Sequence, residues 1–192
     1  MQSMKEVVDM IQLAVEVSDL DCGESKVIVL PCNLRAELEN HYDYIILSTT
    51  PNIPISRNDD ISGLNDILDD INSENPGMTE DYLKVLMEAS SSGDLFDPEF
   101  VRKLKENDFM FEDISDLHWA MNAKETAACY LATELKVPFD HGVTDEMLDT
   151  LSKDVLTDYI NWGQVWDQYS SVGFRVVEQE PPTGGRYIVH IK

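Results

Sequence analysis

Sixteen carboxylates crowd the middle of this chain: Asp59, Asp60, Asp66, Asp69, Asp70, Glu74, Glu80, Asp81, Glu88, Asp94, Asp97, Glu99, Asp108, Glu112, Asp113 and Asp116. Paired carboxylates serve general acid–base catalysis and divalent-metal chemistry. Here acids recur so often that no pair stands out, and neither a glycosidase nor a metal-dependent nuclease gains specific support. Asp59-Asp60-Ile61-Ser62-Gly63 lacks the alternating ligands and terminal glutamate of a calcium loop. His41, His118, His141 and His190 share no ligand spacing and are expected at surfaces or edges. No serine sits in a nucleophile elbow. Gly184-Gly185 has no following helix or lysine to cradle phosphate. The expectation is a protein without catalytic residues, cofactor or metal, acting through binding.

The charge is large and uneven. Of 192 residues, 43% are apolar, enough for a buried core, while 37 acids face 14 bases for a formal charge of −23. Residues 1–57 carry −5, residues 58–117 carry −13 and residues 118–192 carry −5. Direct binding to nucleic acid is excluded as an expectation, because phosphate needs a basic face. Docking on an anionic membrane is disfavoured likewise, and no apolar run approaches the roughly 18–20 residues of a spanning helix. Residues 1–10 lack a signal layout, so a cytoplasmic location is expected. Cys22, Cys32 and Cys129 give no disulfide framework, although Cys22 and Cys32 would be the pair in an oxidising compartment.

The elements that must position these acids follow from pattern. Residues 12–17 and 26–30 read as strands around a turn at Gly23, the first preceded by a helical lead-in. Pro31 ends the second strand, Asn33 is expected to cap a short helix through Asn40, and residues 42–48 form a third strand. Ser62 is expected to cap a helix to about Asn72, with Leu64, Ile67, Leu68 and Ile71 on one stripe. Thr79 caps the next helix, and Asp97 before Pro98 starts another that runs to about Glu106. Further helices are expected over residues 124–135, 145–152 (capped by Thr144) and 155–161. Residues 172–178 and 186–191 alternate as a hairpin around Pro181-Pro182-Thr183-Gly184-Gly185. The fold class is α+β: a β-β-α-β N-terminal unit (1–57), an acidic helical unit (58–117) and a helix-rich C-terminal unit (118–192) closed by a β-hairpin.

On the helix after Ser62, Asp66, Asp70 and Glu74 fall four residues apart, with Asp69 alongside and no lysine near. Like charges at this spacing cost a few tenths of a kcal/mol per pair. Carboxylates one turn apart are spaced by about 5.4 Å, and duplex DNA presents one charge per roughly 1.7 Å of axis. Several acidic helices and loops together would imitate that density. The plainer alternative is that the acids keep a small helical unit soluble.

The order of elements resembles the ArdA-type antirestriction proteins. Lys26-Val27-Ile28-Val29-Leu30-Pro31 followed by residues 33–39 is similar to the family's strand–proline–helix. Tyr44-Ile45-Ile46, through Ile53-Pro54-Ile55 to Ile61-Ser62-Gly63-Leu64-Asn65, is similar to its strand, connector and helix start. The residues from Asp158-Tyr159-Ile160-Asn161-Trp162 to Asp167, then Gly173-Phe174 and Tyr187-Ile188-Val189, resemble its tyrosine-isoleucine-aspartate-aromatic segment and closing hairpin. Asn161 stands where the family usually has aspartate, Trp166 where arginine is common, and the first dozen residues are additional. The resemblance implies an elongated, often dimeric mimic of bent DNA from a mobile genetic element, acting in the bacterial cytoplasm. Its partner would be the DNA groove of a type I restriction–modification enzyme, with the sixteen acids acting collectively as phosphate surrogates. Another basic partner (a nuclease, a CRISPR effector or a histone-like protein) fits the same charge, and an enzyme pairing clustered carboxylates with a divalent metal is the third reading. Trp119 and Trp162 are expected in the protein's own core; for Trp166 a dimer contact is an option that the sequence gives no way to show.

Overall fold

The computed structural model describes residues 10–38, 43–55, 59–90, 94–117, 119, 121–140, 142, 144–179 and 184–192. The helical lead-in, His41, His118, His141 and the prolines of the closing turn lie outside them. The described residues form eight helices and six strands in two small sheets, an α+β fold. None of their helices is long and apolar enough to cross a membrane. The chain divides into two compact units, Met1–Asp108 and Phe109–Lys192.

The N-terminal unit is built on strands β1 (Leu13–Asp19), β2 (Ser25–Leu30) and β3 (Tyr44–Thr50), antiparallel in the order β2-β1-β3. Alternation along β1 buries Leu13, Val15 and Val17, and β2 likewise buries Ile28 and Leu30. A register shift at Glu16/Val17 marks an irregularity against β3. The short α1 (Leu34–Glu37) follows β2, but the Asn33 side chain makes no capping bond. Its backbone carbonyl accepts from Ala36 and Glu37 instead.

Helix α2 (Ile61–Glu74) begins two residues earlier than Ser62 capping would allow: Asp60 is the cap, accepting from the Ser62 amide at 2.9 Å. Beginning there lets Ile61 join Leu64, Leu68 and Ile71 on the buried stripe. Helices α3 (Glu80–Ala89) and α4 (Pro98–Lys105) are capped by Thr79 and Asp97, as their sequences require. The sequence division at 57/58 does not separate compact units. The Asn72 side chain of α2 accepts from the Ile11 amide at 2.8 Å and donates to the Ile11 carbonyl at 3.0 Å, behaving as a strand partner to the residue before β1. Asn65 accepts from the Cys32 amide at 2.8 Å.

The C-terminal unit opens with β4 (Phe109–Asp113), a strand the sequence reading left inside the acidic helical unit. It pairs with β6 (Arg186–Ile191), which also pairs with β5 (Phe174–Glu178), giving the antiparallel order β4-β6-β5. Between β4 and β5 run α5 (Ala123–Thr133), α6 (Asp145–Thr150), α7 (Lys153–Tyr159) and α8 (Trp162–Ser171). Asn122 and Glu125 form a reciprocal capping box on α5, and α8 is capped by Asn161. The buried cluster joins Ala127, Ala128 and Leu131 of α5 with Trp162, Val165, Trp166 and Tyr169 of α8 and with Phe174 and Ile188 of the sheet. Trp166, only 6% exposed, belongs to this core, which answers the question its sequence position leaves open. A tryptophan on the inner face of an amphipathic helix buries too much apolar area to be left outside.

Candidate functional site

None of the sixteen acids is buried. Asp60, Asp66, Asp69, Asp70, Glu74, Asp81, Glu88, Asp94, Glu99, Asp113 and Asp116 are exposed, while Asp59, Glu80, Asp97, Asp108 and Glu112 are half-buried. The reason is elementary: an ionised carboxylate loses too much hydration in a core without a partner. Thirteen of them, Asp59 to Asp108, belong to the N-terminal unit; Glu112, Asp113 and Asp116 belong to the C-terminal unit.

Their roles divide by what the carboxylates touch. Asp60 and Asp97 cap α2 and α4, Asp94 accepts from the Phe96 amide at 2.8 Å, and Asp113 holds Ser115 through both amide and hydroxyl. These acids shape the local chain as well as carrying charge. Glu80 and Asp81 lie in the first turn of α3, where the helix dipole favours anions. Glu112 accepts from the Tyr130 hydroxyl at 3.4 Å.

A second group is compensated. Asp70 pairs with Lys105 at 2.7 Å, a cation thirty-five residues away that local sequence spacing does not reveal. Glu88 pairs with Lys84 at 3.8 Å. Glu99 meets Arg102 at 3.1 Å and Lys103 at 3.6 Å, and Arg102 also meets Glu106. The Arg102 hydrogen bond, reinforced by its charge and by Lys103, holds the Glu99 carboxyl below the usual carboxylate range. The Asp70 contact correspondingly raises the Lys105 ammonium. With Arg102, Lys103 and Lys105 in its last turn, α4 is internally balanced rather than acidic.

Part of the unpaired charge sits on α2 and at the start of α3. The carboxylates of Asp66, Asp69, Glu74 and Asp81 make no ion pair among the described residues. Neither α2 nor α3 has a basic residue in its last turn. Sequence spacing located the row on α2, and the pairs of Glu99 with Arg102 and Lys103 are local as well; the pairing of Asp70 with Lys105 needed the fold.

The remaining candidate groups are structural. Among the described residues no cluster of histidine, cysteine, aspartate and glutamate has the geometry to hold a metal ion. His190 stacks on Phe174 with ring centroids 4.3 Å apart. Trp119 lies under the Lys153 ammonium, 4.0 Å from its ring centre. Cys22, Cys32 and Cys129 are free thiols, and burial pushes the Cys129 thiol up to about 11. Comparison of the chain with family models, with curated proteins and with solved structures finds no match.

Proposed function

We propose that this chain is a non-catalytic DNA mimic of the antirestriction kind, presenting carboxylates in place of phosphates to the basic DNA groove of a type I restriction–modification enzyme in the bacterial cytoplasm. The observation that carries the reading is the exposed acid row on α2 and the start of α3, where Asp66, Asp69, Glu74 and Asp81 make no ion pair among the described residues, while α4 pairs Glu99 with its own Arg102 and Lys103. Asp66, Asp70 and Glu74 succeed one another at four-residue intervals, about 6 Å apart along the axis, Asp70 being the one held by Lys105. A row of this kind attracts a basic groove over long range and fast, and the attraction weakens as salt screens it. The resemblance in element order to ArdA-type proteins supports the same partner and adds homodimerisation to the proposal.

The test is displacement of a DNA duplex from a type I restriction–modification methyltransferase by the purified chain, at low and at physiological salt. Stoichiometric displacement that weakens with salt is expected. Neutralising Asp66, Asp69, Glu74 and Asp81 together should weaken it far more than neutralising any one, because no single surrogate dominates. Displacement abolished by one neutral substitution would contradict a distributed mimic. No displacement at either salt would rule out this partner and leave another basic DNA-binding protein as the target.

A further inference from the structure

We infer that the N-terminal unit seats an apolar side chain of its partner in the cleft between α2 and α4, the occupant being a basic segment that carries a leucine-sized residue among lysines or arginines. The inference rests on the binding reading above and gives it an anchor that charge alone lacks. The cleft holds about 620 Å³.

Two helices and the link before α4 build it. On α4, Pro98, Val101 and Lys105 fall at helical spacing along one side, next to the buried stripe of Phe100 and Leu104. On α2, Ile67 and Glu74 lie seven residues apart, two turns along the same side, and form the opposite wall. Phe96 lies against the first turn of α2, where a Cβ at Gly63 would stand 3.5 Å from its ring. Ile67, Phe96 and Val101 are half-buried and Pro98 is exposed. The core beneath is already closed, with Leu64, Leu68 and Leu104 enclosed, so these four side chains form an apolar seat outside it.

The charges of the rim identify the occupant. Lys105 is held by Asp70 at 2.7 Å, and Arg102 by Glu99 and Glu106, so both cations are satisfied inside the unit. Glu74, on the same rim, makes no ion pair among the described residues and acts on Lys105 only at longer range. Asp66 extends the row towards the start of α2, also without an ion pair among the described residues. A basic segment therefore meets free carboxylates beside an apolar seat, whereas an acidic segment is repelled. Complementary charge governs encounter and register, and a side chain buried at the centre of the contact supplies much of the affinity.

The experiment is an NMR titration of the isotope-labelled full chain with two short synthetic helical peptides of equal charge, one of lysine and leucine, the other of lysine and alanine. The leucine peptide should give saturable shifts centred on the Ile67, Phe96 and Val101 amides and bind about tenfold more tightly than the alanine peptide. V101T puts a hydroxyl in the seat without altering charge; it should lower affinity for the leucine peptide by about fivefold and leave the alanine peptide unaffected. V101F, which fills the cleft from within, should act in the same direction. E74Q should weaken both peptides at low salt and neither at high salt. Thermal unfolding followed by circular dichroism checks that the variants fold. Equal affinity for the two peptides, shifts centred outside the cleft, or a V101T that binds the leucine peptide like the parent would overturn the inference. Val101 shifts produced by concentrating the chain alone would assign the cleft to a second copy and overturn it likewise. Duplex displacement separates this inference from the reading beneath it. A chain that seats the leucine peptide but displaces no duplex keeps the cleft and loses the type I partner. One whose V101T and V101F variants displace duplex as well as the parent keeps the partner and loses the cleft.

Discussion

The two units solve one folding problem with different surfaces. Each places a three-stranded antiparallel sheet with helices around an apolar core. Met1–Asp108 holds 23 acids against 8 bases, whereas Phe109–Lys192 holds 14 against 6. The N-terminal core is largely aliphatic, with Leu64, Leu68, Leu83 and Leu86 fully buried, while all three tryptophans belong to the C-terminal unit. Heavy acidity is therefore no requirement of the sheet-and-helix plan. Acidity is a surface property of both units, −15 and −8 in formal charge, heavier in the N-terminal one and superimposed on cores that fold by ordinary apolar burial.

The largest expected effect tests whether α2 and the first strands form a single unit. Asn72→Ala removes both partners of the Ile11 backbone, which is fully buried. An unpaired buried polar group costs about 1–3 kcal/mol, so a loss of about 3 kcal/mol is expected. Urea unfolding followed by circular dichroism reads it as a lower midpoint. A change below half that figure would mean that α2 is held to the sheet by apolar contact alone.

Next in size is an alkaline weakness of the C-terminal unit. Burial raises the Cys129 thiol from 9.0 to about 11, and burial also raises the Tyr169 hydroxyl, which donates to the Val137 carbonyl at 2.7 Å. Above pH 9 the unfolded chain releases the thiol proton while the folded chain retains it, so stability is full below about 9 and falls towards 11. At 1.36 kcal/mol per pKa unit, Cys129 accounts for about 2–3 kcal/mol across that window. Tryptophan fluorescence reports this unit alone. Cys129→Ala should flatten the decline between pH 9 and 10, where Tyr169 contributes little. An unchanged slope would refute the assignment to Cys129.

These contrasts also separate what the sequence disclosed from what it withheld. Local capping chemistry was legible: Thr79, Asp97 and Thr144 start helices where their side chains accept from the first turn. The closing pair of strands was legible from alternation, and the acid row on α2 from its fourfold spacing. Strand β4 was not, because five residues gain strand character only when Phe109–Asp113 pairs with Asp113↔Tyr187 to Phe109↔Ile191, across most of the C-terminal unit. Helix α8 was missed because Asp158 to Asp167 mixes aromatics, glycine and amides with weak helical preference, and its face is fixed by packing on α5. The compensation of Asp70 by Lys105 joins two helices distant in sequence.

The smallest effect carries a sign that distinguishes functional acids from structural ones. Asp66 sits one turn from Asp70 and three residues from Asp69, with no ion pair among the described residues. Asp66→Asn relieves like-charge repulsion and should stabilise the chain by about 0.2–0.5 kcal/mol. Asp70→Asn removes the acceptor from Lys105, and its effect should fall below that of Asp66→Asn or reverse. The two substitutions erase the same formal charge, one helical turn apart, so net charge alone predicts equal outcomes. Thermal unfolding at low salt measures the stabilities, and duplex displacement measures the interaction. If Asp66→Asn gains stability while combined neutralisation of the row loses displacement, repulsion within α2 is retained because a partner uses it. If stability rises and displacement is unaffected, the carboxylates of α2 have no part in recognition, and the functional contrast between the two units collapses to one of solubility.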